Sequence, residues 1–571
     1  MATLAEPDLI QALAAGGARV ATDAGTLDLF AHDIYDRGAD LAAVVHPTDT
    51  ASLAAAVKAA TDRGLVVVPR GGGMSYTGGY TPSQPGAVLF DTATMNRILD
   101  INETDMTVTV EAGCTWAALY EALRPRGLRT PFWGTLSGIH ATVGGGMSQN
   151  GIFWGTGRHG TAVQSCVALE VVLADGTVMK TGSSHARPYG PDLTGLFLAD
   201  TGALGIKATI TLRMVPEARC HGYASFTFTD AAGYLGAMGE IERSGVSTEC
   251  FGFDPRLNAI RMQRDSLSTD AKQLVGMMKK QGSVLKALKE GVKVVTAGRN
   301  FMGDATFSMH VMAEAGLQQA ADAGIGVARE IVARHGGTEV ENTVPKIVRA
   351  NPFGPLNMML GSQGERWAPI HGLVSHSKAK ACFAALEDLF ASHAETMERL
   401  DIHYGTLMAA VGGAGVVIEP CLYWRDARNP LIDRTVEPAH LKKLQVFPHD
   451  PEIWAAVQEI KQAIVDLFLA HQAAHFQIGR TYRYRESLDP AADALIVADA
   501  GHRRPAAFGP RPGRPGRTAV QLGGDRRRAC LLRHHHPTAE RHGGPTPHGP
   551  VGAERDDARL AAPAGATVRG T

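Results

Sequence analysis

The chain carries the glycine-rich stretch Val68-Pro69-Arg70-Gly71-Gly72-Gly73-Met74-Ser75, with Gly78-Gly79 close behind it. The residues just before this loop, 65–69, form a short apolar run that predicts a buried strand. Glycine has no Cβ, so successive backbone N–H groups in such a loop can converge on an anion. The stretch is therefore either a phosphate-binding loop or a set of tight turns.

A second glycine-rich stretch lies further along the chain. It reads Gly134-Thr135-Leu136-Ser137-Gly138-Ile139-His140-Ala141-Thr142-Val143-Gly144-Gly145-Gly146-Met147-Ser148. Neither stretch is a GxGxxG motif followed by a helix, and neither ends in the Lys-Ser/Thr pair of a Walker loop. Two such loops in one region favour a dinucleotide site over tight turns alone.

Periodic apolar segments around both loops predict alternating helices and strands. Asp49 or Thr50 can cap a helix with Leu53 and Ala60 on its apolar face, and Gly64 ends that helix. The pattern predicts strands at residues 88–91, 107–111 and 206–214, helices at 115–123 and 192–198, and a hairpin at 166–181 that turns at Asp175-Gly176. The first half of the chain is thus predicted to be an alternating α/β unit.

At these residues the sequence resembles the FAD-binding domain of the vanillyl-alcohol oxidase and p-cresol methylhydroxylase (PCMH) superfamily of flavoproteins. The matching pieces are Val45-His46-Pro47-Thr48-Asp49, residues 69–75, Thr142-Val143-Gly144-Gly145, Leu169-Glu170-Val171-Val172-Leu173-Ala174-Asp175-Gly176, Asp192-Leu193-Thr194-Gly195-Leu196-Phe197 and Gly202-Ala203-Leu204-Gly205-Ile206. The resemblance implies FAD between two α/β subdomains, with the first loop on its pyrophosphate.

The resemblance also names the residues expected to contact FAD. They are Pro69, Arg70, Gly71, Gly72, Gly73, Met74, Ser75, Gly79, Thr135, Gly138, His140, Thr142, Val143, Gly144, Gly145, Ser148, Gly205 and Ile206. Some members attach FAD covalently through a His at the position of Met74, and a thioether cannot make that bond. Other members place an attaching Cys where His140 stands here. We therefore expect non-covalent FAD, with His140 as the residue that would otherwise attach it.

The fold class implied by the resemblance is α+β, a two-subdomain PCMH-type FAD-binding domain with an α+β cap domain that binds substrate over the flavin ring. The expected boundaries are residues 1–42 for an N-terminal segment, 43–216 for the FAD-binding domain, 217–470 for the cap and 471–496 for a segment returning to the FAD-binding domain. Residues 497–571 contain 13 Arg, 9 Pro and no Lys, and are expected to be disordered. We favour a translated wrong frame of GC-rich DNA over a basic nucleic-acid-binding tail.

Features of two branches of the superfamily leave the substrate open. Residues 192–206 resemble the D-lactate dehydrogenase and glycolate oxidase branch, yet its His-x-Gly-Asp-Gly-Asn-x-His metal motif is missing, so no metal is expected. Residues 366–372 and 478–482 resemble the phenol-oxidising branch, and of its Tyr-Arg-Thr-His motif the Arg and Thr are kept while the Tyr and His are replaced. We favour hydride removal from the CH–OH carbon of a 2-hydroxy acid. Oxidation of a phenolic compound, or a flavin-binding protein inactivated by its altered C-terminus, are the alternatives.

Four side chains are candidates for catalysis: Arg480, Tyr482, His475 and His371. A guanidinium at Arg480 can stabilise a phenolate, a carboxylate or a reduced flavin anion, so it does not choose between substrates. Tyr482 and His475 belong to the same cluster, which also reads as a solvated strand face. His371 is a candidate base, although a lone His is more often structural.

Composition excludes several other classes of protein. The chain has 571 residues, 56 Lys+Arg and 57 Asp+Glu, so no basic excess draws it to nucleic acid. The start of the chain lacks a signal-peptide pattern, and the apolar run at 405–418 is too short to span a bilayer. We expect a cytoplasmic protein. Its expected partners are a small-molecule substrate, an electron acceptor (oxygen, a quinone or a cytochrome) and a second copy of the chain in a homodimer.

Overall fold

The computed structural model describes residues 7–188, 190–262, 306–413 and 415–499. From residue 500 onward, the tail expected to be disordered lies outside the described residues, and so does the amphipathic basic helix that the sequence suggests at residues 283–298.

Two sheets form the N-terminal part of the molecule. Its strands are β1 Arg19–Ala21, β2 Leu41–His46, β3 Val67–Arg70, β4 Ala87–Asp91, β5 Ile98–Asn102, β6 Thr107–Glu111, β7 Leu128–Arg129, β8 Cys166–Val172, β9 Val178–Gly182, β10 Ile206–Arg213 and β11 Val215–Pro216. The order β1-β2-β4-β3 gives a four-stranded sheet whose last three strands are parallel, and β5-β6-β10-β8-β9 gives an antiparallel five-stranded sheet. β7 and β11 pair separately.

Helices pack on these sheets as the apolar periodicity predicts. They are α1 Pro7–Ala14, α2 Ala24–Ala31, α3 Thr50–Asp62, α4 Trp116–Leu123, α5 Val143–Gln149, α6 Thr156–His159 and α7 Leu193–Leu196, with 3-10 turns at Thr92–Thr94, Arg124–Arg126 and Ala162–Ser165. Asp49 caps α3, because its Oδ1 accepts the Ser52 N–H at 2.7 Å, and Leu53 and Ala60 of α3 are fully buried. The predicted strands, helices and hairpin of this region are confirmed within a few residues.

The structure adds a helix at the second glycine loop that the sequence did not predict. The second loop does lead into a helix, α5, whose N-cap Thr142 accepts the Gly145 N–H at 3.1 Å. Because glycine disfavours helices, three consecutive glycines in α5 gave the sequence analysis no indication of a helix. A Cβ on Gly144 would lie 2.7 Å from the Ala112 Cβ, and one on Gly146 would lie 2.8 Å from the Trp116 ring. These glycines let α5 pack closely against its neighbours.

A large antiparallel sheet organises the second part of the molecule. Its strands are β12 Cys220–Phe228, β13 Glu249–Phe253, β14 Phe307–Ala315, β15 Thr338–Val340, β16 Arg366–Pro369, β17 Gly372–Ser375, β18 His403–Val411 and β19 Gly415–Trp424. The order is β15-β12-β14-β13-β18-β19-β16, with β17 also paired to β19. We call residues 217–470, which contain this sheet, the cap.

Helices cover one face of the cap sheet and enclose the largest apolar core of the described chain. They are α8 Ala231–Ser244, α9 Pro255–Met262, α10 Gln318–Arg334, α11 Thr343–Ala350, α12 His376–Ser392, α13 Ala394–Arg399, α14 Pro430–Thr435, α15 Pro438–Leu441 and α16 Pro451–Ala470, with a 3-10 turn at Leu356–Met359. Side chains alternate along β19, so that Ile418, Leu422 and Trp424 enter this core while Glu419, Cys421 and Tyr423 face the opposite side.

The chain then returns toward the glycine loops. An isolated bridge pairs Ala474 with Leu373, and the short helices α17 Tyr484–Ser487 and α18 Pro490–Asp499 follow. The backbone N–H of Thr481 donates to the Thr77 carbonyl at 3.0 Å, which ties this segment directly to the end of the first loop.

Buried ion pairs join the cap to the FAD-binding part. Arg129 Nη2 lies 2.5 Å from Glu314 Oε2, and Arg129 Nε lies 3.1 Å from Glu217 Oε2. Arg349 Nη2 approaches Glu217 Oε1 at 2.8 Å and Glu314 Oε1 at 3.3 Å. Burial alone raises the pKa of Glu314, but the two guanidinium groups outweigh it and lower that pKa below its usual value. The cluster therefore stays ionised.

Candidate functional site

The two glycine loops touch each other through their backbones. A Cβ on Gly72 would lie 1.8 Å from the carbonyl oxygen of His140, and one on Gly71 would lie 2.3 Å from Thr142 Oγ1. Both separations are far inside van der Waals contact, and at Gly72 the obstacle is a backbone atom, so only glycine fits there. The loops thereby form one continuous wall. Their glycines allow this contact between the loops as well as the close approach of a cofactor.

A cavity of about 220 Å³ separates this wall from the cap. The first loop lines it with residues 71–76, and the second loop lines it with Thr135, Ser137 and Thr142 among others. The opposite side consists of cap side chains, which include Leu257, Met359, Trp367, Glu419, Cys421 and Tyr423, and of Gln477 from the returning segment.

A smaller cavity of about 60 Å³ continues between the two N-terminal sheets. Pro69 and Arg70 line it from β3, and Ile206 and Lys207 line it from β10. Both cavities share Gly71, Tyr80, Gly145 and Gln149 on their walls. The site is therefore elongated, with one end between two α/β sheets and the other end under the cap.

Thirteen of the eighteen residues expected to contact FAD line these cavities. They are Pro69, Arg70, Gly71, Gly72, Gly73, Met74, Ser75, Thr135, Thr142, Gly144, Gly145, Ser148 and Ile206. The other five, Gly79, Gly138, His140, Val143 and Gly205, do not. Val143 is fully buried in the core, and a Cβ on Gly138 or Gly205 would press on Phe353 or Val171. These residues hold the walls together from behind.

Arg70 supports the first loop from below. Its guanidinium lies 4.4 Å from the centre of the Phe30 ring and 3.7 Å from Asp91 Oδ1. Gly73, at φ +75°, passes directly over it, since a Cβ there would lie 2.2 Å from Arg70 Nη2. The loop is thus shaped by a buried cation as well as by its glycines.

Tyr76, directly after the loop, begins a buried chain of hydrogen bonds. Its hydroxyl lies 3.4 Å from His371 Nε2, and His371 Nδ1 lies 2.5 Å from the Tyr482 hydroxyl. The Tyr482 oxygen also accepts the backbone N–H of His371 at 2.9 Å. We assign the Tyr482 O–H as the donor to Nδ1, which places the imidazole hydrogen on Nε2, facing the Tyr76 oxygen.

Burial sets the protonation of this chain. It lowers the pKa of His371 to about 4 and, together with the Glu419 carboxylate, raises the pKa of Tyr76 well above its usual value. At neutral pH both groups are uncharged, and the Tyr76 O–H remains a hydrogen-bond donor at the cavity wall. His371 does not line the cavity, and its acceptor nitrogen is occupied by Tyr482. This geometry favours a positioning role for His371 over the expected role as base.

The other two candidates also lie behind the wall. His475 stacks on Tyr482 with the ring centres 4.7 Å apart, and burial lowers its pKa to about 4. The Arg480 guanidinium donates to Thr81 Oγ1 and packs against Gly78. Neither side chain lines the cavity. The structure thus brings His371, His475 and Tyr482 together and places Arg480 against the segment that follows the first loop, and their catalytic roles stay predictions.

Sequence reasoning missed several polar residues of the cavity, among them Tyr76, Glu419 and Gln477. Tyr76 follows the glycine loop directly, and Glu419 is an acidic residue at the end of an apolar run, so the sequence offered a reason to consider both as site residues. It offered no such reason for Gln477. Within the ranges described, no group of His, Cys, Asp or Glu is arranged to hold a metal ion, and no helix is long and apolar enough to cross a membrane.

Acid precipitation of the purified protein is expected to release free FAD into the supernatant. Met74 lines the cavity but cannot bond to a flavin, and the His140 side chain does not line it. Absorbance of the supernatant at flavin wavelengths measures the release. Yellow colour retained in the washed precipitate would show a covalent bond and would contradict this arrangement.

A family model and several curated proteins match part of the chain. Residues 41–182 match the family model described as FAD binding domain. The chain is 35% identical to a probable mitochondrial D-lactate dehydrogenase of Danio rerio over 36% of this chain and 41% of that protein. It is 32% identical to a glycolate oxidase subunit of Bacillus subtilis over 31% and 37%. The chain thus spans about two fifths of the length of the curated relatives it matches.

The likeness to solved structures extends much further along the chain. A p-cresol methylhydroxylase with substrate bound superposes with a TM-score of 0.64 at 16% identity, over 87% of this chain and 95% of that one. An alkyldihydroxyacetonephosphate synthase superposes with a TM-score of 0.62 at 15% identity, over 87% and 84%. At this identity the likeness concerns the fold, and it confirms the expected combination of a PCMH-type FAD-binding domain and a cap.

Proposed function

We propose that the chain is an FAD-dependent oxidoreductase acting on the CH–OH group of a small hydroxy compound, because residues 41–182 match an FAD binding domain and the fold is similar to that of a p-cresol methylhydroxylase. One observation carries the proposal. The cavity that starts at the glycine loops ends at a carboxylate, Glu419, and a phenol, Tyr76, under the cap.

The residues present fit FAD. Two loops without Cβ atoms converge on one wall, and the smaller cavity between the sheets gives an elongated cofactor a second compartment. Residues 71–75 would hold the pyrophosphate, and Thr135, Ser137 and Thr142 add hydroxyl groups along the wall. When bound, FAD supplies an acceptor for the hydride of the substrate carbon.

The chain's own groups handle the proton of the substrate hydroxyl. Glu419 offers a carboxylate inside the cavity, and we assign it the role of base. The Tyr76 O–H donates a hydrogen bond from the first-loop side of the cavity and orients the substrate oxygen. His371 and Tyr482 fix the Tyr76 hydroxyl, while Trp367 packs edge-on against its ring at 5.6 Å.

Two substrate classes have support, from different observations. Relatives named as dehydrogenases of D-lactate and D-2-hydroxyglutarate, and as glycolate oxidase, support a 2-hydroxy acid. The aromatic and apolar cap wall, with Trp367, Tyr423 and Met359, supports a phenolic compound. Oxygen, a quinone or a cytochrome as electron acceptor and a homodimer as the working form stay predictions.

Anaerobic mixing with a panel of hydroxy acids and phenolic compounds tests the proposal. The expected result is loss of the oxidised flavin absorbance with one class of compound and retention with the other. No bleaching by any compound, with dithionite still reducing the flavin, would instead indicate a flavin-binding protein without catalysis.

Tyr76→Phe is expected to slow flavin reduction by at least about tenfold, because a hydrogen bond to a reacting oxygen is worth roughly 1.5 kcal/mol or more. FAD content should not change, since the ring and the loop backbone remain. Stopped-flow absorbance measures the rate. Tyr404→Phe is the matched control, because Tyr404 stacks on Phe390 away from the cavity. Equal effects of both variants would remove Tyr76 from the reaction.

Acidification is expected to destabilise the protein through His371. Its folded pKa of about 4 lies below the usual 6.5, so between these values the unfolded chain binds a proton that the folded chain does not. Stability from this group is present above pH 6.5 and is lost as the pH falls toward 4. Between pH 7 and pH 5 the wild type should lose about 2 kcal/mol more unfolding free energy than His371→Gln, measured by denaturant titration with FAD in fixed excess. Parallel losses would show that His371 titrates normally.

A further inference from the structure

Lys207 is a buried cation on the wall of the smaller cavity. It is the second residue of β10, and its side chain is 2% exposed. Its ammonium nitrogen lies 2.6 Å from Asp200 Oδ1, and the Asp200 side chain is 4% exposed. Taking two charges out of water costs several kcal/mol per ion, so such a pair is weak support for a fold by itself. Because Lys207 lines a ligand cavity, the pair can serve ligand binding as well as the fold.

The turn between α7 and β10 fixes the Asp200 carboxylate. Asp200 accepts the backbone N–H of Gly202 at 2.9 Å and that of Leu204 at 3.3 Å, in addition to the ammonium of Lys207. The ammonium is therefore held in place by a carboxylate that cannot move. Lysine has three N–H donors, and Asp200 takes one of them.

The two positive charges of the smaller cavity come from different sheets. Arg70 lines the far wall from the four-stranded sheet, and Lys207 lines the near wall from the five-stranded sheet. Among the described residues that line either cavity, these two are the cations. Both belong to the smaller cavity, away from the cap. The cationic end of the elongated site is thus the end between the two α/β sheets.

We propose that Lys207, positioned by Asp200, binds a phosphate of the FAD pyrophosphate from the side of the five-stranded sheet. A compact ammonium in a buried site forms a strong charge-assisted hydrogen bond to a phosphate oxygen. The backbone of the first glycine loop reaches the same cavity through Gly71. The proposal rests on FAD as the cofactor and is independent of the reaction that FAD supports.

FAD affinity of the apoprotein tests the proposal without any substrate. Lys207→Met is expected to raise the dissociation constant for FAD at least about tenfold, measured by quenching of flavin fluorescence, because a charge-assisted hydrogen bond is lost. Lys207→Arg keeps the charge and should bind FAD more tightly than Lys207→Met. Lys180→Met is the control, since Lys180 is exposed and pairs with Glu170 outside both cavities.

The double variant Asp200→Asn/Lys207→Met distinguishes two roles of Lys207: binding of an FAD phosphate and neutralisation of the Asp200 carboxylate. If Lys207 binds phosphate, FAD affinity stays as low in the double variant as in Lys207→Met. Recovery of wild-type affinity in the double variant would show that Lys207 only neutralises Asp200, and would overturn the proposal. Equal weakness of Lys207→Arg and Lys207→Met would overturn it as well. The melting temperatures of the apoproteins check that each variant folds.

Discussion

Gly72→Val is expected to purify without FAD. A Cβ at this position meets the carbonyl oxygen of His140 at 1.8 Å, and a backbone carbonyl cannot swing aside as a flexible side chain can. The two glycine loops must then separate, and the wall that faces the cofactor is lost. The ratio of flavin absorbance to protein absorbance measures the effect.

Two other glycine variants serve as comparisons for the FAD content of Gly72→Val. Gly71→Ala meets the Thr142 hydroxyl, a side-chain atom that can rotate away, so part of the FAD should be retained. Gly326→Ala meets nothing within 4 Å in α10 and should bind FAD like the wild type. A wild-type flavin ratio in Gly72→Val would show that the loops do not need their close approach.

Arg129→Met is expected to lower the free energy of unfolding by about 3–5 kcal/mol, the usual cost of removing one partner from a buried ion pair. Glu314 and Glu217 would then share Arg349 as their remaining cation, with the Glu314 side chain 4% exposed. Because Arg129 lies in the FAD-binding part and Glu314 in the cap, the loss weakens the junction between them. Thermal and denaturant unfolding measure it.

Arg399→Met is the matched control. Arg399 pairs with Glu452 at 2.6 Å, but the two side chains are 57% and 65% exposed, and exposed pairs contribute about 0–1 kcal/mol. If both variants lose the same small amount, the buried cluster adds nothing to stability.

Much of the secondary structure of the FAD-binding part could be predicted because the sequence features that determine it act locally. The cap at Asp49, the apolar spacing of α3 and the Asp175-Gly176 turn act within a few residues of where they are read. The glycine triplet of α5 could not be read this way. Its helix exists because Ala112 and Trp116, which are distant along the sequence, leave space for glycine alone.

The substrate end of the site was harder to predict because distant segments build it. Tyr76, Glu419 and Gln477 come from the first loop, the cap sheet and the returning segment. Their meeting depends on strand register and on the Thr481–Thr77 hydrogen bond. The cluster around Arg480 was noticed for its charge, yet the direction of its side chain is set by Gly78 and Thr81 across the structure.

The two walls of the large cavity differ in how freely their residues can be substituted during evolution. Tyr76 shares its loop with the glycines that face the cofactor, so changes that move the backbone of this loop alter substrate choice and flavin retention together. Glu419, Cys421 and Tyr423 project from a cap strand whose other face is anchored in a separate core. A mutational library at Cys421 and Tyr423, with Glu419 kept as the base, can therefore change the substrate while the holoprotein still assembles, and new specificities should arise there first.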